Sequence, residues 1–223
     1  MDGNGRWAKS RGLFRSVGHV FGVKVFRTIV EHASNLGIKY MTFYAFSTEN
    51  WNRPSREVSF IMKILKKEIY NLNLNFKKYN FIVNFLGNYT KISKDTLDLI
   101  HNVQEISRNN TGLVLNIAFS YGSRDEIINS IKLLYEDIIN LKIKKEDITE
   151  EVFSNYLYTR GMPDPDLIIR TGGEARMSNF LLWQSAYAEF WNTNTLWPDF
   201  STEEFEKALD DYTKRKRKFG NIT

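Results

Sequence analysis

Three groups of polar and charged residues in this sequence could bind an anionic substrate. The first is the run Asp2-Gly3-Asn4-Gly5-Arg6-Trp7, in which two glycines let backbone N–H groups approach an anion. Arg6 can pair with phosphate oxygens, and Asp2 can bind a hard cation such as Mg²⁺ that bridges those oxygens. Taken alone, a glycine-rich run of this kind is more often a surface turn.

A dinucleotide-binding interpretation of the same run is weak. Gly3, Gly5 and Ala8 match the GxGxxA spacing, but no strand precedes them. The acidic residue that should bind a ribose, Glu31, would lie in the middle of a helix instead of at a strand end.

The second group follows an apolar run, Tyr40 to Phe46, that is typical of a buried strand. Parallel sheets bind ligands at the carboxyl ends of their strands. The polar loop after this strand therefore predicts a ligand with a charged head and an apolar body. A solvated loop in which Ser47 and Asn50 cap turns is the alternative. The candidate residues are Ser47, Thr48, Glu49, Asn50, Trp51 and Arg53.

The third group follows a short apolar strand at 167–169. Arg170 leaves the strand, a Gly-Gly turn follows, and Arg176, Met177 and Ser178 come next. Two arginines with nearby hydroxyls are suited to a phosphate-type anion, and this explanation is favoured over a surface salt-bridge loop. Elsewhere, Arg15 and His19 at the start of a helix could donate to an anion.

The positions between these groups predict a single α/β domain. Its mostly parallel central sheet would be covered by helices on both faces. The apolar pattern predicts strands at 40–46, 81–86, 113–119 and 167–169. It predicts helices at 21–33, 55–76, 93–108, 124–140, 149–158 and 202–219. The helix from Val58 to Phe76 is apolar on more than one side, so it could line a tunnel for a long hydrocarbon instead of only packing in the core.

Composition excludes several classes of protein. The 223 residues include 31 basic and 26 acidic side chains, a net charge of +5, which is too small to indicate nucleic-acid binding. The absence of cysteine excludes disulfides, thiolate nucleophiles and cysteine-bound metals. With no HExxH, GxSxG or P-loop pattern, zinc proteases, serine hydrolases and P-loop enzymes are excluded as well. No apolar run is long enough for a membrane helix and no secretory signal is visible, so a cytoplasmic protein is expected.

In this order, the three groups resemble the cis-prenyltransferase family, and within it the bacterial undecaprenyl-type enzymes. The matching stretches are MDGNGRWA, GHVFG, YAFSTENWNRP with Glu57-Val58, LNIAFSYGSR, PDPDLIIRTGGEARMSNFLLWQSAYAEFW and LWPDF. The resemblance implies condensation of isopentenyl diphosphate onto an allylic diphosphate, with new double bonds in cis. Farnesyl diphosphate is the implied primer, and undecaprenyl diphosphate for a cell-wall lipid carrier is the implied product.

The resemblance also assigns roles to residues of this chain. Asp2 would be an essential carboxylate and, with Glu189, would bind Mg²⁺. Asn50 stands where the family places proton abstraction. An amide is a poor base, so we expect Asn50 to position the substrate while a diphosphate oxygen takes the proton. Gly3, Asn4, Gly5, Arg6, Trp7, Arg15 and His19 would bind the allylic diphosphate. Ser47, Thr48, Glu49, Asn50, Trp51 and Arg53 would form a closing loop, and Arg170, Arg176, Met177 and Ser178 would bind isopentenyl diphosphate.

The same resemblance implies a homodimer. The lack of a membrane helix indicates that the enzyme delivers its lipid product at a membrane surface, and no nucleic-acid partner is expected. A non-catalytic partner subunit of the same fold is the alternative, although the intact site residues argue against it. The only support for nucleic-acid binding is the basic run from Lys214 to Lys218.

Two departures from the family pattern stand out. The family's first strand lies upstream of the MDG motif, so we expect this chain to be N-terminally truncated and poorly active as written. Ser123 stands where glycine is usual, at small expected cost. The basic-Phe-Gly sequence at Arg217 to Gly220 resembles the family's ending.

Overall fold

Helices and strands alternate along the chain, as the hydrophobic pattern predicts. The computed structural model describes residues 1–216, without the side chains of residues 73–78. Its helices are α1 (Asn4–Ser10), α2 (Arg15–Asn35), α3 (Ser55–Tyr79), α4 (Lys94–Ser107), α5 (Ser123–Ile139), α6 (Glu150–Ser154) and α7 (Thr202–Lys214). Its strands are β1 (Tyr40–Ser47), β2 (Ile82–Leu86), β3 (Val114–Tyr121), β4 (Leu167–Arg170) and β5 (Glu189–Asn192). Short 3₁₀ turns lie at Thr48–Asn52, Lys145–Asp147 and Trp197–Asp199.

The strands are all parallel, and their hydrogen bonds divide them between two sheets. One sheet has the order β1-β3-β2 and the other pairs β4 with β5. β3 lies in the centre of the larger sheet and is buried from Leu115 to Tyr121, because helices cover both of its faces. The predicted α/β class with a parallel sheet is therefore confirmed, although the sheet is in two parts.

The main hydrophobic core lies between the larger sheet and helices α2, α3, α4 and α7. It includes Ile29, Ile69, Ile100, Leu115 and Phe205, all almost fully buried. Burial of side chains of this size stabilises the fold by about 1.5–3 kcal/mol each. A second cluster joins α5 to α6. The repeated apolar positions in each helix explain why these faces pack inward.

Several boundaries differ from the sequence-based predictions. β5 was not predicted, because Glu189–Asn192 is only four residues long and begins with a charge. α6 ends at Ser154, since the chain after it turns back to pack Leu157 in the core, and α7 ends at Lys214. The predicted end of the last helix at 219, and the basic-Phe-Gly sequence at 217–220, lie outside the described residues.

A cavity of about 1330 Å³ separates the two sheets. Consecutive residues of β1 (40–45) and of β4 (167–170) line it, so the edge of each strand that has no partner among the described strands faces this space. Its mouth lies at the carboxyl ends of β1 and β4, and it extends to the amino end of β1 at Tyr40. At about 3.3 Å per residue, that length is roughly 25 Å.

None of the helices in the described part of the chain is both long enough and apolar enough to span a bilayer.

Candidate active site

The carboxyl ends of β1 and β4 bring most of the predicted site residues to the mouth of the cavity. This edge is where parallel sheets bind their ligands. The following predicted residues line the cavity: Asp2, Gly3, Asn4, Gly5, Arg6, Arg15, His19, Ser47, Glu49, Asn50, Arg53, Arg170, Arg176, Met177 and Ser178.

Asp2 lies between two arginines from different parts of the chain. Its Oδ2 accepts a hydrogen bond from Arg170 Nη2 at 3.1 Å, and Arg6 Nη2 lies 3.4 Å from its Oδ1. Partial burial alone would raise the pKa of Asp2, but hydrogen bonds from Arg170 and the Gly3 N–H, with the charge of Arg6, lower that pKa below its ordinary value. Asp2 is therefore ionised at neutral pH.

The backbone of Asp2 is fixed to the end of β4. Asp2 N–H donates to Thr171 Oγ1, and the Thr171 hydroxyl donates back to the Asp2 carbonyl, both at 2.9 Å. The same carbonyl accepts from Trp197 N–H. Thr171 is almost fully buried, so these bonds hold the Asp2 carboxylate in a fixed place beside Arg170.

The segment after β4 surrounds the Arg170 guanidinium. Arg170 Nη1 donates to Ser178 Oγ at 2.8 Å and also to the Arg176 carbonyl. Glu174 pairs with Arg176, and its other oxygen lies 3.8 Å from Arg6 Nη1. Gly172 adopts a φ of 87°, and a Cβ there would lie 2.6 Å from Arg6 Nη2. The Gly-Gly turn therefore permits the close approach of Arg6.

A second cationic cluster lies around Glu57 at the start of α3. Glu57 Oε1 is 3.3 Å from Arg15 Nη2, 3.1 Å from Arg53 Nη1 and 3.7 Å from His19 Nε2. Burial, together with the charges of Arg53 and Arg15, lowers the pKa of His19 below 6.5 despite the opposing effect of Glu57. His19 Nε2 is buried without a hydrogen bond among the described residues, so it is available to a ligand.

The turn Thr48–Asn52 is held by hydrogen bonds between Ser47 and Asn50 and by a contact with β3. The Asn50 N–H donates to the Ser47 side chain, and Asn50 Oδ1 accepts from Ser47 N–H at 3.3 Å. The capping arrangement considered as an alternative is thus present, and the Asn50 side chain also lines the cavity. With Oδ1 engaged, Asn50 offers its Nδ2 donor to a ligand.

Four predicted site residues do not line the cavity. Trp7 is buried and donates its indole N–H to Asp199, while Trp51 packs on Phe46 and donates to Ser120. Thr48 lies beside Gly122. These three side chains contact other parts of the protein and not the cavity, so they stabilise the structure around the mouth.

The fourth, Glu189, lies away from Asp2. It is the first residue of β5 and pairs with Leu167, at the amino end of β4, whereas Asp2 contacts the carboxyl end. Its Oε2 accepts from Arg215 Nη1 at 2.8 Å. The predicted metal pair of Asp2 and Glu189 is therefore not assembled within one chain.

Four residues at the mouth were not predicted as site residues: Glu57, Thr171, Glu174 and Asn179. Each lies within or next to a group that the sequence marks, but each contacts other groups of the protein. Thr171 bonds the Asp2 backbone, and the other three contact side chains. For Glu57 and Glu174, the available sequence signal was a negative charge within a few residues of an arginine, which indicates an ion pair.

Below the mouth most of the cavity wall is apolar. Its lining includes Phe26 and Ile29 from α2 and a row of α3 side chains, Ile61, Leu65 and Leu72. A polar mouth above an apolar body suits a ligand with an anionic head and a hydrocarbon chain.

The sequence matches a known family over almost its full length. The prenyltransferase family described as undecaprenyl diphosphate synthase matches residues 1–220. The chain belongs to this family. It is 51% identical to the isoprenyl transferase of Clostridium tetani, covering 100% of this chain and 87% of that protein. It is 48% identical to the isoprenyl transferase of Aquifex pyrophilus, covering 100% and 94%.

Solved structures of prenyltransferase relatives have the same fold. Lavandulyl diphosphate synthase from Lavandula x intermedia, in complex with dimethylallyl diphosphate, matches with a TM-score of 0.95 at 34% identity, covering 99% of this chain and 95% of that one. A probable undecaprenyl diphosphate synthase from Campylobacter jejuni matches with a TM-score of 0.80 at 33% identity, covering 91% and 93%. The chain is a prenyltransferase of the cis type.

Proposed function

We propose that this prenyltransferase condenses isopentenyl diphosphate onto farnesyl diphosphate to make undecaprenyl diphosphate for a cell-wall lipid carrier. The observation that carries the proposal is the pair of cationic clusters above a cavity whose wall along α2 and α3 is apolar. Two clusters suit two diphosphates, and the cavity suits the growing hydrocarbon.

The cluster around Glu57 is the proposed site of the allylic diphosphate. Arg15 and Arg53 can exchange the Glu57 carboxylate for diphosphate oxygens, and His19 Nε2 supplies a further buried contact. The adjoining run from Gly3 to Arg6 lines the same part of the mouth.

The segment after β4 is the proposed site of isopentenyl diphosphate. Arg170, held by Ser178, and Arg176, paired with Glu174, provide guanidinium donors, Ser178 provides a hydroxyl, and Met177 lines the same wall. Arginines preorganised in this way stabilise the charge that develops on a diphosphate as the allylic C–O bond breaks.

Asp2 fits a magnesium ion. Mg²⁺ commonly binds one or two protein carboxylates and completes its octahedron with substrate phosphates and water. Asp2 is ionised, partly exposed and next to Arg170, so its carboxylate can bind such an ion beside a diphosphate. When bound, the metal would supply charge stabilisation for the leaving diphosphate. Among the described residues no cluster of three metal-binding side chains occurs, which is consistent with a site that depends on substrate oxygens.

Asn50 is the proposed positioning group for the reacting carbon chain. The Nδ2 donor can orient a diphosphate oxygen, and that oxygen takes the proton that is lost as the new double bond forms. The apolar wall below excludes water from the allylic cation.

A homodimer is proposed through α5. Four of its apolar side chains lie at helical spacing and are exposed: Ile128, Ile131, Tyr135 and Ile139. A continuous apolar stripe of this kind on a helix is typical of a surface that another protein covers. The proposed occupant of this surface is a second copy of this chain.

Delivery of the product at a membrane surface is also proposed. Leu13 and Phe14 are exposed side by side, and Arg11 and Arg15 flank them. Apolar and basic side chains together suit the interface of an anionic bilayer. Sedimentation with anionic and with uncharged vesicles tests this contact, and equal binding to both would contradict it.

The main test is incorporation of radiolabelled isopentenyl diphosphate by the purified protein alone. We expect incorporation that needs farnesyl diphosphate and Mg²⁺, and products whose length chromatography assigns as undecaprenyl. Failure to incorporate label, both by this chain and by the chain extended at its N-terminus, would overturn the proposed activity. Shorter or longer products would overturn only the proposed product.

A further inference from the structure

Asn179 joins three parts of the mouth. Its Nδ2 donates to Glu49 Oε1 at 2.8 Å, in the turn after β1. Its Oδ1 accepts from Arg124 N–H, and its carbonyl accepts from Ser123 N–H, both at 2.9 Å at the start of α5. The partners fix the orientation of the amide, because a carboxylate needs a donor and a backbone N–H needs an acceptor.

The start of α5 depends on Asn179 for capping. Its N-cap residue is Gly122, which has no side chain to accept from the first free N–H groups of the helix. Asn179, distant in sequence, provides both acceptors in its place. Loss of the Asn179 side chain would therefore leave the Arg124 N–H without its acceptor.

The packing around Gly122 leaves no free space at this junction. A Cβ on Gly122 would lie 2.5 Å from Thr48 Oγ1 and 2.8 Å from Asn179 Nδ2. The turn after β1, the start of α5 and the segment after β4 are therefore in direct contact. A movement of one of them is transmitted to the others.

Asn179 directly follows the segment proposed to bind isopentenyl diphosphate. Ser178, whose Oγ accepts from Arg170, and Asn179 both have left-handed φ angles, 49° and 63°. A left-handed conformation is unfavourable for serine and tolerable for asparagine. The bonds of Asn179 hold this segment in that conformation.

Glu49 is suited to receive this contact. Partial burial raises its pKa, but hydrogen bonds, first of all from Asn179, lower the pKa below its ordinary value. The carboxylate is thus ionised at neutral pH, and the bond from Asn179 is charge-assisted. Glu49 lies next to Asn50 in the same turn.

We propose that Asn179 is a positioning residue that couples the proposed isopentenyl diphosphate site to the turn Thr48–Asn52. The bond to Glu49 ties the placement of the segment 176–178 to the placement of the turn Thr48–Asn52 that carries Asn50. The isopentenyl site and the catalytic turn are then ordered together. This proposal rests on the proposed function for the identity of the ligand, and on the geometry alone for the coupling.

The test exchanges the donor and the acceptor in the hydrogen bond between positions 179 and 49. N179D keeps the acceptor for Arg124 N–H and sets two carboxylates against each other. The double variant E49Q/N179D restores a bond, because the amide introduced at position 49 donates to the carboxylate introduced at position 179. E49Q alone is the control for loss of the Glu49 charge. Amide hydrogen exchange of residues 47–53 and 122–126 measures the coupling without turnover.

We expect N179D to raise exchange in residues 47–53, and the double variant to return it to the wild-type level. In kinetics, N179D should raise the KM for isopentenyl diphosphate by about tenfold and lower kcat, with recovery in the double variant. Unchanged exchange in N179D, or a double variant as impaired as N179D, would overturn the coupling. If the variants show the expected exchange pattern but the wild-type protein incorporates no label, only the proposed function is refuted.

Discussion

Each arginine proposed to bind substrate has a carboxylate partner within the protein. Glu57 contacts Arg15 and Arg53, and Asp2 contacts Arg170. Such partly exposed ion pairs contribute only about 0–1 kcal/mol each. A doubly charged diphosphate can therefore displace or share these carboxylates at small cost, while the pairs keep the guanidinium groups in place.

Asn50→Asp separates the positioning role from a role as base. The new carboxylate keeps the acceptor for Ser47 N–H but loses the Nδ2 donor and adds negative charge beside the diphosphate. We expect kcat to fall by about 100-fold, as for loss of a preorganised donor. Initial rates from about pH 5.5 to about pH 9 measure the effect on both sides of neutrality. Asn52→Asp, outside the cavity lining, is the matched control. A faster variant with a new acidic limb would show that the side chain acts as a base.

Glu126 should make folding stability depend on pH. Burial raises its pKa above 4.5, although Tyr121, the Tyr158 N–H and Gln184 donate hydrogen bonds to it. A raised native pKa means that the stabilisation is complete below about pH 4.5 and is lost as pH rises through the raised value. Glu126→Gln removes this titration and keeps an acceptor and a donor.

Thermal melts at about pH 5 and about pH 8 test this expectation. Between those values the Tm of the wild type should fall by a few degrees more than that of Glu126→Gln. Equal pH dependence of the two proteins would contradict the assignment.

Among the elements, β1 and β4 each have an edge that faces the cavity without a strand partner in the described chain. We propose that an extended segment preceding Met1 pairs with these edges and fills the part of the cavity between the two sheets, which leaves the part along α2 and α3 for the hydrocarbon.

Extending the chain with the residues encoded upstream should therefore raise both Tm and the rate of label incorporation, because it satisfies open strand edges. A Gly-Ser extension of the same length is the control. Equal stability and activity of the three proteins would refute the proposed strand.

The apolar stripe on α5 gives the second prediction at this scale. Ile131→Asp places a charge in the proposed interface, so we expect the dimer to dissociate at micromolar concentration. Leu36→Asp, at a residue with the same 48% exposure, is the matched control. Light scattering during size exclusion gives the mass, and a dimer that survives Ile131→Asp would rule out this face.

For the whole molecule, the depth of the cavity sets the expected product length. α3 begins at the mouth, and at about 1.5 Å per residue Ile61 lies roughly 6 Å and Leu72 roughly 22 Å beyond Glu57. Ile61→Trp should therefore shorten the product more than Leu72→Trp does. Chromatography of the labelled products measures both. The reverse order, or no change in either, would show that the chain does not grow along α3.

Much of the fold could be predicted from the sequence because its signals are local. The apolar runs gave β1, β2 and β3 within two residues of their ends, and the three polar groups gave most of the mouth. β5 escaped prediction because four residues carry little periodicity. The orientation of the Trp51 side chain could not be predicted, because composition does not say whether an indole faces the ligand or a neighbouring serine.

The sequence alone determined the α/β class and the residues whose chemistry suits diphosphates, since periodicity and side-chain type are properties of short segments. The tertiary structure decided which charges meet. Glu57 gathers Arg15, His19 and Arg53, Glu189 turns to Arg215, and Asn179 bridges three segments. Most of these contacts join residues far apart in the chain, and they depend on the packing of whole elements. No local pattern encodes such long-range contacts.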